Sequence, residues 1–380
     1  MKLDYELFQR DWQPQIPYRP IGNMVDAVGK RLVFLHSNDF TMAYESPVQK
    51  IARVMLGVVS CVGFCMRALA SFDKLYFEIE KPNERSGVEV KETLNVLTLN
   101  AACLPSWITT RFNDLRPTEE RAKEIADSIY KNSDKYDVIC LQELFSEAAF
   151  TIIHDRLCEK YGYSVHHAGR SYVGFNSGLC IFSKFPIEGA DFQRYSGLFG
   201  EDAFTNKGFL SADLAVGDKK VRVYTTHAQA GGYPKFFKRH WLIGPAASLH
   251  QKQFASFTEH IKKAVCDAVI VTGDFNLNVC SEPEKQIHAR EFFSLFKPYQ
   301  PTLPDKVRGT TYTRQYLRDH RTGKDSAPCA DHQTNGRVID GCFVTRTSRA
   351  EARHARVIQD FTNSSDHLAV VTTIALSGFD

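Results

Sequence analysis

Short apolar runs separated by polar turns fill the chain from about residue 93 onward. Runs of about four to eight residues rich in β-branched and aromatic side chains are typical of buried strands. The pattern predicts strands over 94–99, 138–141, 178–182, 221–226, 268–272, 338–344 and 368–374. A chain of 380 residues is long enough to bury one large core or two modest ones.

Two longer segments have a helical rather than a strand period, and we predict helices over 119–132 and 249–265. In the second, apolar residues recur near one face and predict a single buried stripe: Leu249, Phe254, Phe257, Ile261 and Val265. The stretch 301–335, rich in Pro, Asp, Arg, Gly and Thr, predicts a long surface excursion, which is commonly functional or mobile.

The part of the chain before residue 93 differs in character, and its main feature is the apolar segment 51–72. A membrane-spanning helix needs about 20 apolar residues, and this segment reaches that length only by including Arg53 and Arg67. The pattern favours a segment that inserts into a membrane or lies on it; a transmembrane helix and a buried core helix are the alternatives. We therefore predict an N-terminal membrane-associating region at 1–92 and a folded domain at 93–376.

Composition restricts the classes of partner. The chain is 43% hydrophobic and 24% charged, which is ordinary for a soluble globular protein. Its 47 basic and 44 acidic residues give a net charge of +3. A protein that binds nucleic acid through the phosphates is expected to have a basic excess, so no nucleic-acid partner is expected here.

The ten cysteines indicate the compartment. None has the paired spacing of zinc ligands, and Cys140 and Cys180 lie inside apolar runs. We interpret them as reduced, buried thiols of a cytosol-facing protein, with a disulfide framework as the alternative. The polar N-terminus, Met1 to Glu6, lacks the pattern of a signal peptide, so secretion is disfavoured.

Polar residues cluster at the ends of the predicted strands. Asn100, Glu143, His227, Asp274 and Asn276 follow strands, and Asp366 and His367 directly precede one. Any one of them alone is typically a turn residue. Together they predict a site, because groups at strand ends converge at one edge of a sheet.

These side chains suit the hydrolysis of a phosphodiester, which requires charge neutralisation, an activated water and a stabilised leaving group. The oxygen ligands of Glu143, Asn100, Asp274 and Asp366 favour Mg²⁺, with Mn²⁺ as a substitute. Histidines can transfer the proton, and Asp340 is the candidate carboxylate that would orient one of them. Zinc is disfavoured because no Cys/His cluster has ligand spacing.

The order of the motifs resembles that of the endonuclease/exonuclease/phosphatase superfamily, which is similar to pancreatic-type DNases. The motifs are Leu97-Thr98-Leu99-Asn100, Leu141-Gln142-Glu143, Thr226-His227, Gly273-Asp274-Phe275-Asn276, Ile339-Asp340 and Ser365-Asp366-His367. The resemblance covers about residues 93–376. It implies that this part is a catalytic domain of α/β class with a four-layer α/β/β/α sandwich.

By the same resemblance, Glu143 is the principal metal ligand, Asn100 is its neighbour and Asp366 supports the metal shell. Asp274 and Asn276 orient the water and bind the phosphate.

The resemblance also assigns the proton-transfer residues. His367, paired with Asp340, is the general base. His227 stabilises a phosphoryl oxygen or assists the leaving group.

Further motifs resemble those of neutral sphingomyelinases. Asn176-Ser177-Gly178-Leu179 and Thr226-His227-Ala228-Gln229-Ala230 are similar to elements of those enzymes, which implies substrate-binding roles for Asn176 and Gln229. The segment from Asp202 to Gly208 resembles one in the ceramide-generating membrane enzymes and implies an Asp202–Lys207 switch coupled to an anionic-lipid activator. An exposed ion pair worth under ~1 kcal/mol is the alternative. Those enzymes have two N-terminal hydrophobic segments, whereas only one is clear here.

The sequence therefore predicts a Mg²⁺-dependent phosphodiesterase that hydrolyses sphingomyelin, or a related phosphosphingolipid, to ceramide and phosphocholine. Its expected partners are a phospholipid membrane, the sphingolipid substrate and an anionic-lipid activator, and its expected location is a cytosol-facing leaflet. A nuclease or an inositol-phosphate phosphatase on the same fold is one alternative. A non-catalytic membrane module is another.

Overall fold

The computed structural model describes residues 77–81, 90–106, 108–109, 115–169, 175–230, 243–280, 289–297, 301, 311 and 338–376. The segment 51–72 and most of 301–335 lie outside the described residues, so what the sequence predicts for them stays a prediction. Within the described part of the chain, no helix is long and apolar enough to cross a membrane.

The described strands form two sheets. In chain order they are β1 (Glu78–Glu80), β2 (Thr93–Cys103), β3 (Val138–Leu144), β4 (Tyr163–His166), β5 (Cys180–Ser183), β6 (Ile187–Arg194), β7 (Gly208–Val216), β8 (Lys219–His227), β9 (Ala268–Asp274), β10 (Asp340–Val344), β11 (Glu351–Ile358) and β12 (Ala369–Ala375). The larger sheet has the order β1-β4-β5-β3-β2-β12-β11, and the smaller has the order β10-β9-β8-β7-β6. β2 pairs with β3, and β8 with β9, in parallel.

The two sheets pack face to face because their central strands are apolar on both faces. In β2, Leu94 and Val96 belong to the core between the sheets, whereas Leu97 and Leu99 belong to the core on the outer face. In β9, Ile270 likewise faces the other sheet. This alternation follows from the two-residue period of a strand.

Helices cover both outer faces of the sandwich. They are α1 (Thr118–Lys131), α2 (Glu147–Leu157), α3 (Ile243–Lys262) and α4 (Arg290–Ser294). Ile125 of α1 and Ile153 of α2 pack on the larger sheet, and Phe257 of α3 and Phe292 of α4 pack on the smaller sheet. The predicted α/β/β/α sandwich is confirmed for the described residues.

The predicted strands and helices are all present, with ends shifted by a few residues. Several further elements have weaker signals in the sequence. β6 and β11 are edge strands with largely exposed or half-buried side chains, so they lack the apolar run of a central strand. α2 is short; Ser146 caps it by accepting a hydrogen bond from the amide of Ala149 at 3.3 Å.

The sheet extends before the predicted boundary near residue 92. Glu78–Glu80 forms the edge strand β1, which pairs with β4, and Ile79 is buried in the core between the sheets. The seven cysteines in the described residues are free thiols, as expected for reduced thiols. Cys140 and Cys180 lie on adjacent strands but belong to cores on opposite faces of the sheet.

The predicted stripe on α3 is confirmed at four positions and wrong at the fifth. Leu249, Phe254, Phe257 and Ile261 are buried, but the side chain of Val265 is 85% exposed. The helix ends at Lys262. Val265 therefore lies three residues beyond the end of the helix and is not part of its buried face.

Phe257 provides a test of this packing. Its ring stacks on that of Phe209 at a centroid distance of 4.2 Å and contacts Tyr224 and Phe292. We expect Phe257→Ala to lower the free energy of unfolding by about 3–5 kcal/mol, measured by urea denaturation. Val265→Ala, at the C-terminal end of the predicted stripe, is expected to change the free energy of unfolding by less than about 0.5 kcal/mol. Equal effects of the two substitutions would contradict the burial of Phe257 and the exposure of Val265.

Candidate active site

The two sheets contribute side chains to one site, and the amide of Asn100 connects them. Asn100 is fully buried on β2. Its Nδ2 donates to Oε1 of Glu143 at 3.1 Å and to Oδ2 of Asp274 at 3.0 Å. Glu143 belongs to β3 of the larger sheet, and Asp274 belongs to β9 of the smaller. One amide group therefore positions two carboxylates that come from different sheets.

Glu143 has an unusual backbone for a strand residue. Its φ is +56°, in the left-handed region that non-glycine residues seldom adopt. Gly178, with φ +69°, packs against this bend, and a Cβ there would lie 3.1 Å from Cα of Glu143. Gly178 also accepts a hydrogen bond from the amide of Leu144 at 3.0 Å. The Asn176-Ser177-Gly178 turn therefore supports the strained position of Glu143.

Two strands of the smaller sheet end together at the site. His227 and Asp274 are register partners at the ends of the parallel strands β8 and β9. His227 Nε2 lies 3.5 Å from Asp274 Oδ2 and 3.7 Å from Glu143 Oε1. Asn276 has a φ of +52°. Its backbone N–H donates to Asp274 Oδ1 at 2.9 Å, and its side-chain Nδ2 donates to the carbonyl of Ala228 at 3.1 Å.

His367 and Asp340 form the predicted pair. Nδ1 of His367 lies 2.9 Å from Oδ2 of Asp340, and both side chains are buried. The other ring nitrogen, Nε2, lies 3.9 Å from Oδ2 of Asp274. Ser365 fixes the turn before His367, because its hydroxyl accepts from the His367 amide at 3.1 Å and donates to the Asn100 carbonyl at 2.6 Å.

Burial governs the electrostatics of the site. Burial raises the pKa of Glu143 above its usual value, and burial followed by the nearby Asp340 carboxylate raises the pKa of Asp274. Burial, with Lys207 and His367 nearby, holds the pKa of His227 well below its usual value. Burial alone would lower the pKa of His367, but the adjacent Asp340 raises it to about 10.

The residues present fit a divalent cation. Glu143, His227 and Asp274 offer ligand atoms that lie within 4.8 Å of one another, and so do Asp274, Asp340 and His367. Burial raises the pKa of Glu143 and of Asp274, and a bound cation would stabilise the charged forms of both carboxylates. Asp366 is buried and close enough to raise the pKa of Glu143.

The predicted metal ligands Glu143, Asn100 and Asp366 differ in the contacts that the structure gives them. Asn100 contacts Glu143 through its donor atom Nδ2, whereas its Oδ1, the atom that could bind a cation, accepts from the amide of Ala102 at 3.0 Å. Its predicted role as a metal ligand therefore stays a prediction. Asp366 belongs to neither of the two groups above, so its predicted supporting role stays a prediction.

Lys207 and Asp202 form a buried ion pair rather than the exposed pair that is the alternative interpretation. Lys207 Nζ lies 2.8 Å from Asp202 Oδ1, and the two side chains are 3% and 13% exposed. Lys207 also donates to the carbonyl of Ala228 at 3.2 Å, and Asp202 accepts from the amide of Ala230 at 2.7 Å. The pair therefore holds the segment that directly follows His227.

The two predicted substrate-binding residues make backbone contacts. Asn176 Oδ1 accepts from the amide of Gly178 at 2.7 Å, which shapes the turn beside Glu143. Gln229 is buried; its Oε1 accepts from the Phe199 amide at 3.2 Å and its Nε2 donates to the Phe199 carbonyl at 3.4 Å. These contacts shape the loops around the site, and direct binding of substrate stays a prediction.

Two buried residues that support the site lack a signal in the sequence. Thr311 lies within the predicted surface excursion, yet it is fully buried. Its hydroxyl accepts from the amides of Ile339 and Asp340, and its carbonyl accepts from the amide of Leu368. It therefore connects the segment of Asp340 to that of His367, a link that only the tertiary structure reveals.

Arg121 is the second such residue, and it is fully buried in α1. It donates to the carbonyls of Ala101 and Ala102, which follow Asn100, and to that of Ser364, which precedes His367. A charged residue inside the amphipathic α1 is expected on the solvent face, so the periodic pattern conceals this role.

Comparison with known proteins agrees with the fold and the motifs. Residues 93–367 match the endonuclease/exonuclease/phosphatase family, and the chain belongs to that family. Sphingomyelin phosphodiesterase 5 of Danio rerio is 26% identical over 293 residues, which are 63% of this chain and 53% of that protein. Sphingomyelinase C 2 of Leptospira interrogans is 34% identical over 170 residues, which are 40% of this chain and 25% of that protein. The chain spans about half or less of the length of these relatives.

A solved structure shows the same fold. It is a mutant of the beta toxin of Staphylococcus aureus with bound magnesium ions, and it matches with a TM-score of 0.59 and 18% identity. The match covers 73% of this chain and 98% of that chain.

The role of Arg121 can be tested by Arg121→Lys. A lysine ammonium lacks the planar fork that reaches carbonyls both in β2 and in the turn before His367, so we expect the free energy of unfolding to fall by about 2–4 kcal/mol. The turnover rate should fall as well, because these two segments position Asn100 and His367. Arg156→Lys is the control, because Arg156 pairs with Asp127 at the surface and should change stability by less than about 1 kcal/mol. Equal losses in urea denaturation would contradict a special role for Arg121.

Proposed function

We propose that this chain is a Mg²⁺-dependent phosphodiesterase that hydrolyses sphingomyelin, or a related phosphosphingolipid, to ceramide and phosphocholine. The observation that supports the reaction type is the buried His367–Asp340 pair facing Asp274, next to the carboxylate of Glu143. The names of the relatives support the substrate class, since both the fish and the bacterial relative are named for sphingomyelin.

Glu143 and Asp274, with the amide of Asn100 between them, are the residues that would hold Mg²⁺. When bound, the ion supplies positive charge that neutralises these carboxylates and the phosphoryl oxygens of the substrate. Asp274 contributes to the raised pKa of His367. Neutralising Asp274 would therefore lower the pKa of His367 toward the range of a general base.

His367 has the geometry of a base. In the neutral imidazole, Nδ1–H would donate a hydrogen bond to Oδ2 of Asp340, which leaves the lone pair on Nε2, the ring nitrogen that lies 3.9 Å from Oδ2 of Asp274. Nε2 would remove the proton from the attacking water, which Asp274 and Asn276 orient. His227, neutral at physiological pH because of its lowered pKa, can donate a hydrogen bond to a phosphoryl oxygen or to the leaving oxygen.

The sphingolipid substrate is favoured over nucleic acid by two observations. The net charge is +3, which is small for a protein that neutralises many phosphates. The named relatives act on sphingomyelin according to their names. The apolar segment 51–72 and a cytosol-facing membrane location complete the proposal, with an anionic lipid as the activator.

Hydrolysis of labelled sphingomyelin in phosphatidylserine-containing micelles tests the activity. We expect phosphocholine release with Mg²⁺ and none with EDTA. Glu143→Gln and His367→Asn should lower the rate by about 10²–10⁴-fold, the range for loss of a general base or of comparable transition-state stabilisation.

His354→Gln serves as the matched control, because His354 is exposed on β11 and should retain the rate of the unmodified chain. Folded, Mg²⁺-loaded protein that leaves sphingomyelin intact while it cuts another phosphodiester would refute the substrate. Plasmid nicking that is lost in Glu143→Gln would support the nuclease alternative instead.

The buried Asp202–Lys207 pair is proposed to couple anionic lipid to the site, because it holds the backbone next to His227. Lys207→Met keeps the length of the side chain and removes its charge. We expect the ratio of activities with and without phosphatidylserine to fall toward one in this variant. Lys220→Met is the control, since Lys220 pairs with Asp213 at the surface. An unchanged ratio in Lys207→Met would refute the switch.

A further inference from the structure

A second cluster of histidines and glutamates lies at the β1 edge of the larger sheet. It consists of Glu78, Glu80, Glu147, His154, His166 and His167, and it shares no residue with the site described above. In the sheet order, β4 is separated from β3 by β5. At the usual spacing between strands, β4 therefore lies roughly 10 Å from β3, which carries Glu143.

Strand pairing brings the central members together. Glu78 of β1 is the register partner of His166 of β4. Ile79 between the glutamates is buried in the core, so Glu78 and Glu80 share the opposite face of β1. The helix α2 supplies Glu147 and His154, together with Phe150, whose ring lies 4.5 Å from the ring of His166 and 4.3 Å from the ring of His167.

The backbone at His167 directs two consecutive imidazoles to one point. Successive side chains of a strand point to opposite faces, yet the Nδ1 atoms of His166 and His167 are 2.8 Å apart. They meet because His167 has a φ of +52°, a left-handed conformation that is unfavourable for a non-glycine residue. Such strain is characteristic of functional positions.

Three ligand atoms form a triangle of the size that a metal ion requires. The sides are 2.8 Å between the two Nδ1 atoms, 3.2 Å from His167 Nδ1 to Glu78 Oε2 and 3.7 Å from His166 Nδ1 to Glu78 Oε2. A tetrahedral zinc ion with ligands at about 2.0–2.1 Å places those ligands about 3.3 Å from one another. Without a metal ion, a single proton between the two Nδ1 atoms and Oε2 of Glu78 could join them only by a forked hydrogen bond. A cation can bind all three atoms at once.

The surroundings also suit a bound cation. The three side chains are only 5–13% exposed: 5% for His166, 9% for His167 and 13% for Glu78. Nε2 of His167 lies 3.2 Å from Oε1 of Glu147, which places a carboxylate beside the ring nitrogen that would face away from a metal bound at Nδ1. Nε2 of His166 is buried and has no hydrogen-bond partner within the described residues, so hydrogen bonds alone do not satisfy the polar atoms of this cluster.

We propose that Glu78, His166 and His167 bind a divalent transition-metal cation of the Zn²⁺ type, with Glu147 orienting His167. Two imidazoles and one carboxylate favour zinc over magnesium, which prefers oxygen ligands. The ion would join the three-residue strand β1 to the end of β4. It would thus fasten the part of the chain that precedes the catalytic domain to the sheet.

The test measures zinc in the full chain carrying Glu143→Gln, which weakens binding at the phosphodiesterase site. After EDTA treatment, exposure to Zn²⁺ and desalting, mass spectrometry of the metal should find about one equivalent per chain. Adding Glu78→Gln or His167→Asn should reduce the retained zinc to less than about a tenth of that, and Asn is chosen because it tolerates the left-handed backbone. Glu147→Gln should weaken the affinity by about 10–100-fold, as expected for a supporting carboxylate.

Adding His354→Gln instead should leave the zinc content unchanged. No retained zinc, or equal retention with and without Glu78→Gln, would overturn the proposal and leave an ion-pair network only. Near-UV circular dichroism checks that each variant is folded. If the cluster variants do not fold, X-ray absorption of the zinc-loaded Glu143→Gln protein decides: two imidazole ligands and no sulfur support the site, and sulfur ligands overturn it.

Discussion

The contact of the Asn100 amide with Glu143 and Asp274 is the interaction on which the site depends. Each carboxylate is at the end of a strand in a different sheet, so their separation is fixed only if the sheets keep their relative position. The core between the sheets, with Val96 and Ile270, maintains that position. The geometry of the site therefore depends on the packing of the sandwich, since a shift between the sheets would separate the two carboxylates.

Burial is the second constraint, and it opposes the first. Removing Glu143 and Asp274 from water disfavours their charged forms, and their raised pKa values reflect that penalty. The protein offsets part of it with the amide of Asn100 and with His367. The buried Arg121 donates hydrogen bonds to the carbonyls of Ala101, in β2, and of Ser364, in the turn before His367. These bonds hold Asn100 and His367 in position relative to each other.

The apolar runs and the polar residues at their ends predict the central strands and one shared site, because both are local signals. The α/β/β/α class and the roles of the site residues come from the resemblance to the endonuclease/exonuclease/phosphatase superfamily. The end of α3 before Val265, the burial of Thr311 and the edge strands β6 and β11 depend on packing that no local pattern encodes. The Asp202–Lys207 pair appears in the sequence as a motif, but its burial does not. His166 and His167 have no ligand spacing in the sequence, since neighbouring strand residues ordinarily diverge; only the left-handed backbone at His167 makes them converge.

The antiparallel register of β9 and β10 places Asp340 directly opposite Asp274. Strand side chains alternate between faces, so a slip by one residue would turn Asp340 away from His367. The chain that joins the two strands supports this register, because the hydroxyl of Thr311 accepts hydrogen bonds from the amides of Ile339 and Asp340. A change at Thr311, which is distant in sequence from both strands, can therefore misalign Asp340 and His367 even when the strands themselves are unaltered.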